Sequence, residues 1–275
     1  MNAVTHKAVL VTGASSGIGR ACAEHLAAGA YRVFGAQRHV PAAESGPRGV
    51  EMVVMDVTDD ESVERGVQEV LARAGRIDAV INNAGCAYMG AVEDTSVDEA
   101  KAQLETNFFG VLRVCRAVLP AMRRQGGGHI INISSLAGVL GLPFSGLYSA
   151  SKFALEGMSE SLRLETRRFG VQVVLIEPGD FSTQLPAMRR TTRQAATNEA
   201  YREAFAKFQA AQAKDEAAAP TPEPVARLVE GILRSPSPRL RYSVGMLGQR
   251  IVVPLKRLLP QRLFEWALRY ALSLP

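Results

Sequence analysis

Cysteine is scarce in this sequence: 275 residues hold three, Cys22, Cys86 and Cys115. They are odd in number, widely spaced and set in apolar or helix-favouring runs. That excludes a disulfide scaffold and points to reduced thiols in an intracellular, cytoplasmic protein. Nothing calls for a structural or catalytic metal. No apolar run reaches the roughly 18 residues that a membrane span needs. The stretch from Met1 to Lys7 has no long apolar region and no small-residue cleavage site, so a secretory signal is not expected. Charge of one sign is also in short supply. The net charge is only +5, and the arginines are scattered over several helices without an aromatic-interleaved patch, which argues against a nucleic-acid partner. Internal repeats and interdomain linkers are missing too, so residues 1–275 read as one α/β unit with ample length for a core.

What is present begins with Ala8 to Val11, a short apolar and β-branched run, then Thr12-Gly13-Ala14-Ser15-Ser16-Gly17-Ile18-Gly19 and a helix-favouring stretch from Ala21 to Ala28. Strand, glycine-rich turn and helix in that order suit a pyrophosphate: glycines let the backbone approach, and the helix N-terminus supplies partial positive charge. A second strand, Tyr31 to Ala36, ends at Gln37-Arg38, about 18 residues beyond Gly19. An acidic residue there would hold a ribose 2′-hydroxyl. A cation instead pairs with a 2′-phosphate, so NADP (NADPH) is favoured over NAD.

Further strands are expected over Glu51 to Val57, with Asp56 at the end, over Ala79 to Ile81 before Asn82-Asn83-Ala84-Gly85, over Gly128 to Ile133, and over Val171 to Ile176. Thr58-x-x-Glu61 and Ser96-x-x-Glu99 read as capping boxes opening helices, the second running to about Met122 with Asn107 inside it. Six strands separated by helices, each ending in small or polar residues, make a Rossmann-type, doubly wound parallel sheet with its ligand site at the strands' C-terminal ends. Residues 184–275 form a substrate-covering region. There an Ala-rich helix carries Tyr201, Phe205 and Phe208 as packing residues, Thr221-Pro222-Glu223 starts a helix with proline in its first turn, and Arg241 to Val244 is a last short strand. The tail from Ile251 to Pro275 is amphipathic and basic. It suits a cover over the substrate cleft, a subunit interface or a peripheral membrane contact.

The chemistry gathers at Tyr148-Ser149-Ala150-Ser151-Lys152. A phenol and an ammonium four residues apart share a helix face, and the positive charge is expected to lower the phenol pKa. Ser134-Ser135, at the end of a strand, could face the same spot.

Thr12-Gly13-x-x-x-Gly17-x-Gly19, Asn82-Asn83-Ala84-Gly85, Asn107, Ser135, Tyr148, Lys152 and Pro178-Gly179 with Thr183 occur together and in order. Over residues 7 to 183 the chain resembles the short-chain dehydrogenase/reductase family. The segment from Gly141 to Gly157 is most similar to the branch holding 17β-hydroxysteroid dehydrogenase type 1 and the photoreceptor retinol dehydrogenases. The resemblance implies that Tyr148 exchanges a proton with a ketone or alcohol oxygen, Lys152 tunes it and holds the ribose, Ser135 binds the substrate oxygen, and Asn107 anchors a water for proton resupply. It implies that Gly13, Ser15, Ser16, Gly17, Ile18, Gly19 and Arg38 hold the diphosphate, the nicotinamide-side turn and the adenosine phosphate. Asp56 and Val57 would take the adenine, Asn83, Ala84 and Gly85 the adenosine edge, and Pro178, Gly179, Phe181 and Thr183 the carboxamide.

The expected activity is an NADP(H)-dependent oxidoreductase acting on a lipophilic secondary alcohol or ketone, steroid- or retinoid-like, with Leu142 of the apolar loop Leu140 to Phe144 on the substrate side. The alternative is a non-catalytic dinucleotide sensor or scaffold. Pairing through the two long helices would give a homodimer or homotetramer.

Overall fold

The computed structural model of the chain describes residues 6–39, 49–183 and 189–272; the ends of the chain, including the tail's last three residues, lie outside them. Seven strands form one wholly parallel sheet: β1 (Lys7–Thr12), β2 (Tyr31–Gln37), β3 (Val50–Val54), β4 (Ala79–Asn82), β6 (Gly128–Ile133), β7 (Val171–Pro178) and β9 (Arg241–Val244). Their spatial order is β3-β2-β1-β4-β6-β7-β9. The winding reverses between β1 and β4, which opens a crevice at the strands' C-terminal ends where ligands of such sheets bind. Two further strands, β5 (Ala87–Met89) and β8 (Arg189–Thr191), pair in parallel above that edge.

Alternation along each strand fills two helical layers, because successive side chains point to opposite faces. Ala8 and Leu10 of β1 pack with Val63, Val67, Val114, Val118 and Leu155, which come from α2 (Asp60–Ala74), α4 (Gly110–Gln125) and α5 (Gly146–Thr166). Val9 and Val11 pack the other way, against Cys22 and Leu26 of α1 (Gly17–Ala27) and Val225, Val229 and Leu233 of α7 (Glu223–Arg234). Burial of such a side chain stabilises by roughly 1.5–3 kcal/mol.

Several local expectations need correction. The third strand stops at Val54, leaving Asp56 in the following turn, where its carboxylate accepts from the Thr58 N–H (2.9 Å) and hydroxyl (2.7 Å). That occupies Thr58, so α2 is capped instead by Asp59, whose carboxylate accepts from Ser62 N at 2.6 Å. Ser96 and Glu99 do form the reciprocal box that opens α3 (Val97–Leu104). The helix that follows is not continuous to Met122: residues Glu105–Phe109 form a π-turn before α4 resumes. At α7, Pro222 is the capping residue and Pro224 occupies the first turn.

Candidate active site

The glycine turn after β1 is closed against the turn after β4. Thr12 Oγ1 accepts from the N–H groups of Asn83 (3.0 Å) and Ala84 (3.1 Å), and the Asn83 amide donates to the carbonyls of Thr12 and Gly13, both at 3.1 Å. Asn83 thereby fixes the shape of the cradle with its side chain. Gly13 has φ +64°, and a Cβ there would stand 2.9 Å from Ala84 Cα; Gly17 has φ +57°, and a Cβ there would stand 3.3 Å from Thr183 Cβ. Both glycines are thus required by conformation and by space. Thr183 carries the loop after β7 onto the N-terminus of α1, making a cleft lined by Ser16, Gly17, Arg20, Ser182, Thr183 and Pro222. Ile18 is half-buried against the core beside it, and Ser15 is exposed. Arg38 is exposed at the end of β2. Burial works against the Asp56 carboxylate, but the two Thr58 bonds and the charges of Arg38 and His39 hold it below its ordinary pKa.

Tyr148 and Lys152 lie one turn apart on α5, with Lys152 Nζ 5.8 Å from the centre of the tyrosine ring. Ser135, two residues beyond β6, is close enough to the phenol to favour its ionised form, and its hydroxyl accepts from Ala137 N at 3.1 Å. Lys152 is buried and donates to the carbonyl of Ile133 at 2.8 Å. Burial lowers its pKa to about 8, while the nearby thiol of Cys86 and carboxyl of Glu156 oppose the fall. The phenol does not follow the expected direction. Burial raises the Tyr148 pKa above its ordinary value, and Ser135 and Arg189 only partly offset this. The physical reason is that removing a phenolate from water outweighs its polar neighbours, and the ammonium four residues on is aimed at a carbonyl.

The matching family model, described as short chain dehydrogenase, covers residues 7–194. The chain belongs to the short-chain dehydrogenase/reductase family. It is 40% identical, over 95% of its length and 96% of the relative's, to a protein of Bacteroides thetaiotaomicron named 3-ketodihydrosphingosine reductase. A short-chain dehydrogenase from Streptomyces avermitilis superposes with a TM-score of 0.80 at 34% identity, covering 95% of this chain and 96% of that one. A metagenomic short-chain oxidoreductase in complex with NADP matches at 0.68 and 27% identity (87% and 97% covered), and one from Burkholderia phymatum in complex with NAD at 0.77 and 26% (94% and 95%). The sheet edge of this family member fits a nicotinamide dinucleotide: the cleft between Gly17 and Thr183, which a Cβ at Gly17 would narrow, and the N-terminus of α1 beside it are what a pyrophosphate needs.

In this short-chain dehydrogenase/reductase Asn107 lies between α3 and α4. Its side chain is buried in the π-turn, accepts from Cys86 N (2.9 Å), and donates to Cys86 O (3.0 Å) and Ser151 Oγ (3.1 Å). The amide thereby ties the β4 loop to the Tyr148 helix.

Two groups gain partners that the sequence reading did not give them. Glu156 continues the Tyr148–Lys152 face by one more turn, and Arg241 of β9 donates to it at 2.8 Å while lying 3.5 Å from Glu177 and also pairing with Glu160. Burial raises the Glu156 pKa; Ser134 and Arg241 counter it, and Glu177 adds to it. Phe144 is the second group: φ is +56°, the only positive value at a described non-glycine residue. Its ring lies 5.3 Å from Phe205 and 5.6 Å from Phe208 of α6 (Glu199–Ala218). Phe144, Tyr148 and Leu272 all pack on the cluster formed by Ala87, Met89, Phe205 and Phe208. Leu142 is not part of that cluster; its N–H donates to Ser149 Oγ at 3.2 Å in the loop before α5.

The loop after β7 holds the remaining expected residues. Pro178 ends the strand, Gly179 N donates to Val244 O at 2.8 Å, and Phe181 is buried in the α1/α7 layer. Between them, Asp180 is clamped by Gln249, which accepts from its N–H (3.0 Å) and donates to its carboxylate (2.6 Å). Among the described residues no group of His, Cys, Asp and Glu is placed to hold a metal.

Proposed function

We propose that this family member uses NADPH to reduce the ketone of a long-chain lipid to a secondary alcohol. The observation that carries the lipid part is the aromatic wall of Phe144, Phe205 and Phe208 packed directly beside Tyr148. The name of the 40% identical Bacteroides relative supports the same class, a long-chain ketone, over the steroid and retinoid alternatives. Arg38 supports NADPH: a guanidinium at the end of β2 complements a 2′-phosphate, and the acidic residue that would select NAD is not there.

Bound nicotinamide supplies the hydride that reaches the carbonyl carbon. Gly13, Ser15, Ser16, Gly17, Ile18 and Gly19 would hold its diphosphate, Arg38 the adenosine phosphate, Asp56, Val57 and the backbone of Asn83 to Gly85 the adenosine, and Pro178 to Thr183 the carboxamide. Tyr148 donates its proton to the substrate oxygen as the alcohol forms. The raised phenol pKa keeps that proton in place at neutral pH, which suits an acid in the reducing direction. Ser135, beside the phenol, would hydrogen-bond the same substrate oxygen. Lys152 carries positive charge next to the phenolate left behind, and its lowered pKa makes it a ready proton source for reprotonation.

The test is consumption of NADPH and of NADH with a 3-keto long-chain amine, a steroid ketone, retinal and a small ketone. Turnover of the long-chain ketone with NADPH, with Arg38→Asp cutting NADPH affinity about 10- to 100-fold relative to NADH, is expected. Preference for the steroid or for retinal would replace the substrate class. Unchanged cofactor preference in Arg38→Asp would overturn the NADPH reading.

A further inference from the structure

The C-terminal helices α8 (Leu247–Arg250), α9 (Val252–Leu258) and α10 (Gln261–Ala271) have two apolar faces, and only one has a partner within the described chain. On the inner side Phe264 is buried, and Leu272 packs on the cluster that holds Phe144 and Tyr148. On the outer side stand Leu247, Ile251, Leu258, Leu263, Trp266 and Tyr270, half of the twelve large apolar residues exposed among the described residues. Trp266 is 65% and Tyr270 80% exposed, and their rings stack at 6.0 Å.

On α10, Leu263, Trp266 and Tyr270 fall at i, i+3 and i+7, one stripe along the helix. Arg262 and Arg269 fall beside that stripe. From Leu247 to Leu272 the sequence has five cations, Arg250, Lys256, Arg257, Arg262 and Arg269, and one acid, Glu265, whose carboxylate accepts from Gln261 at 2.6 Å.

We propose that this face docks on an anionic lipid bilayer, with α10 lying in the interface plane. The proposal rests on the long-chain lipid reading of the substrate, and it adds the source from which the substrate is taken. Tryptophan and tyrosine on one stripe, flanked by arginine, are what the boundary between headgroups and acyl chains accommodates. The charge decides between occupants. A second copy meeting this face about a two-fold axis would bring two cationic rims together, whereas anionic headgroups neutralise them. No helix among the described residues is long and apolar enough to cross a membrane, so the contact is peripheral. Because Leu272, at the end of the same helix, packs on the aromatic cluster against which Tyr148 also packs, a lipid leaving the bilayer there enters near the reacting phenol.

Trp266 is the chain's single tryptophan and reports docking without any turnover. The full chain would be mixed with vesicles of phosphatidylcholine alone and of phosphatidylcholine with phosphatidylglycerol. Expected are a blue-shifted Trp266 emission, quenching by brominated acyl chains and co-sedimentation, all confined to the mixed vesicles and weakened by salt. The double variant Leu263→Ser/Tyr270→Ser should lose sedimentation by about 10-fold or more while reducing a small water-soluble ketone at the parent rate. Emission and sedimentation that are the same with and without phosphatidylglycerol vesicles would overturn the proposal. So would a blue shift driven by protein concentration alone, which would assign the face to a second copy. Docking without turnover of any long-chain ketone would sink the substrate reading and leave the docking face standing, so the two failures are separable.

Discussion

The sheet edge with its glycine turns and the C-terminal helices that pack beside it are built differently. At the edge, side chains are tied to backbone: Thr12 and Asn83 lock two turns together, Asn107 ties the β4 loop to α5, and Lys152 is fixed to Ile133 O. Across the cover, the C-terminal helices reach the rest of the chain through separate contacts: Gln249 with Asp180, Lys256 with Val139 O at 2.7 Å, and Leu272 on the aromatic cluster. The lesson is a division of labour. At the edge directional bonds leave little room for displacement, whereas the C-terminal helices add to two hydrogen-bonded contacts an apolar one, and the proposed long substrate would meet aromatic surface that can repack.

If that contrast is right, damage at the edge should slow every substrate alike, and damage to the cover should depend on substrate length. Tyr148→Phe removes the transferable proton and should lower kcat by about 10²- to 10⁴-fold on all ketones, with cofactor affinity unchanged by titration. Near-normal turnover would remove the tyrosine from the chemistry. Phe208→Ala opens the cover and should cost roughly 3–5 kcal/mol or less in a denaturant melt, while KM rises for the long-chain ketone and stays constant for a small one. Equal effects on both would erase the distinction.

Lys152→Met sharpens the comparison through pH. Lys152 titrates near 8 when folded against 10.5 ordinarily, so between those values the unfolded chain binds more protons and stability contributed by this group rises with pH. At neutral pH the buried ammonium therefore destabilises the fold, by up to roughly 3 kcal/mol. The methionine variant should be inactive yet more stable at pH 7, with its advantage shrinking as pH climbs from about 8 to 10.5. A constant advantage across urea melts at those pH values would mean that Lys152 is not shifted. The smallest change expected is Gln249→Ala: a loss of about 1 kcal/mol and a KM increase of a few-fold for the long substrate, with kcat on a small ketone retained.

The edge was legible in sequence because its chemistry is local. Gly13, Gly17, Asn83 and Ser135 follow strand ends within a few residues, Tyr148 and Lys152 share the first turns of one helix, and the structure brings them to one edge. What stayed hidden depends on depth or on distant partners. The four-residue spacing of Tyr148 and Lys152 reveals a neighbouring charge but not the burial that outweighs it. Asn107 occupies a π-turn that no 3.6-residue period announces. Glu156 reads as an ordinary helix carboxylate until Arg241 arrives from 85 positions further on, and the ribbon of β5 and β8, three residues each, is too short to show a pattern. Phe205 and Phe208 were recognisable as packing residues; that they pack beside Tyr148 was not.

Arg241 has a bearing on how the chain comes to life. It is the guanidinium that reaches Glu156, Glu160 and Glu177 from β9, the last strand to join the sheet. A nascent chain emerging from the ribosome has its whole dinucleotide edge by Thr183, yet three carboxylates still await their cation. Only when β9 has been synthesised and zipped onto β7 does the helix bearing Tyr148 gain its final anchor. The cation that anchors the Tyr148 helix is thus supplied by the strand that precedes the C-terminal helices.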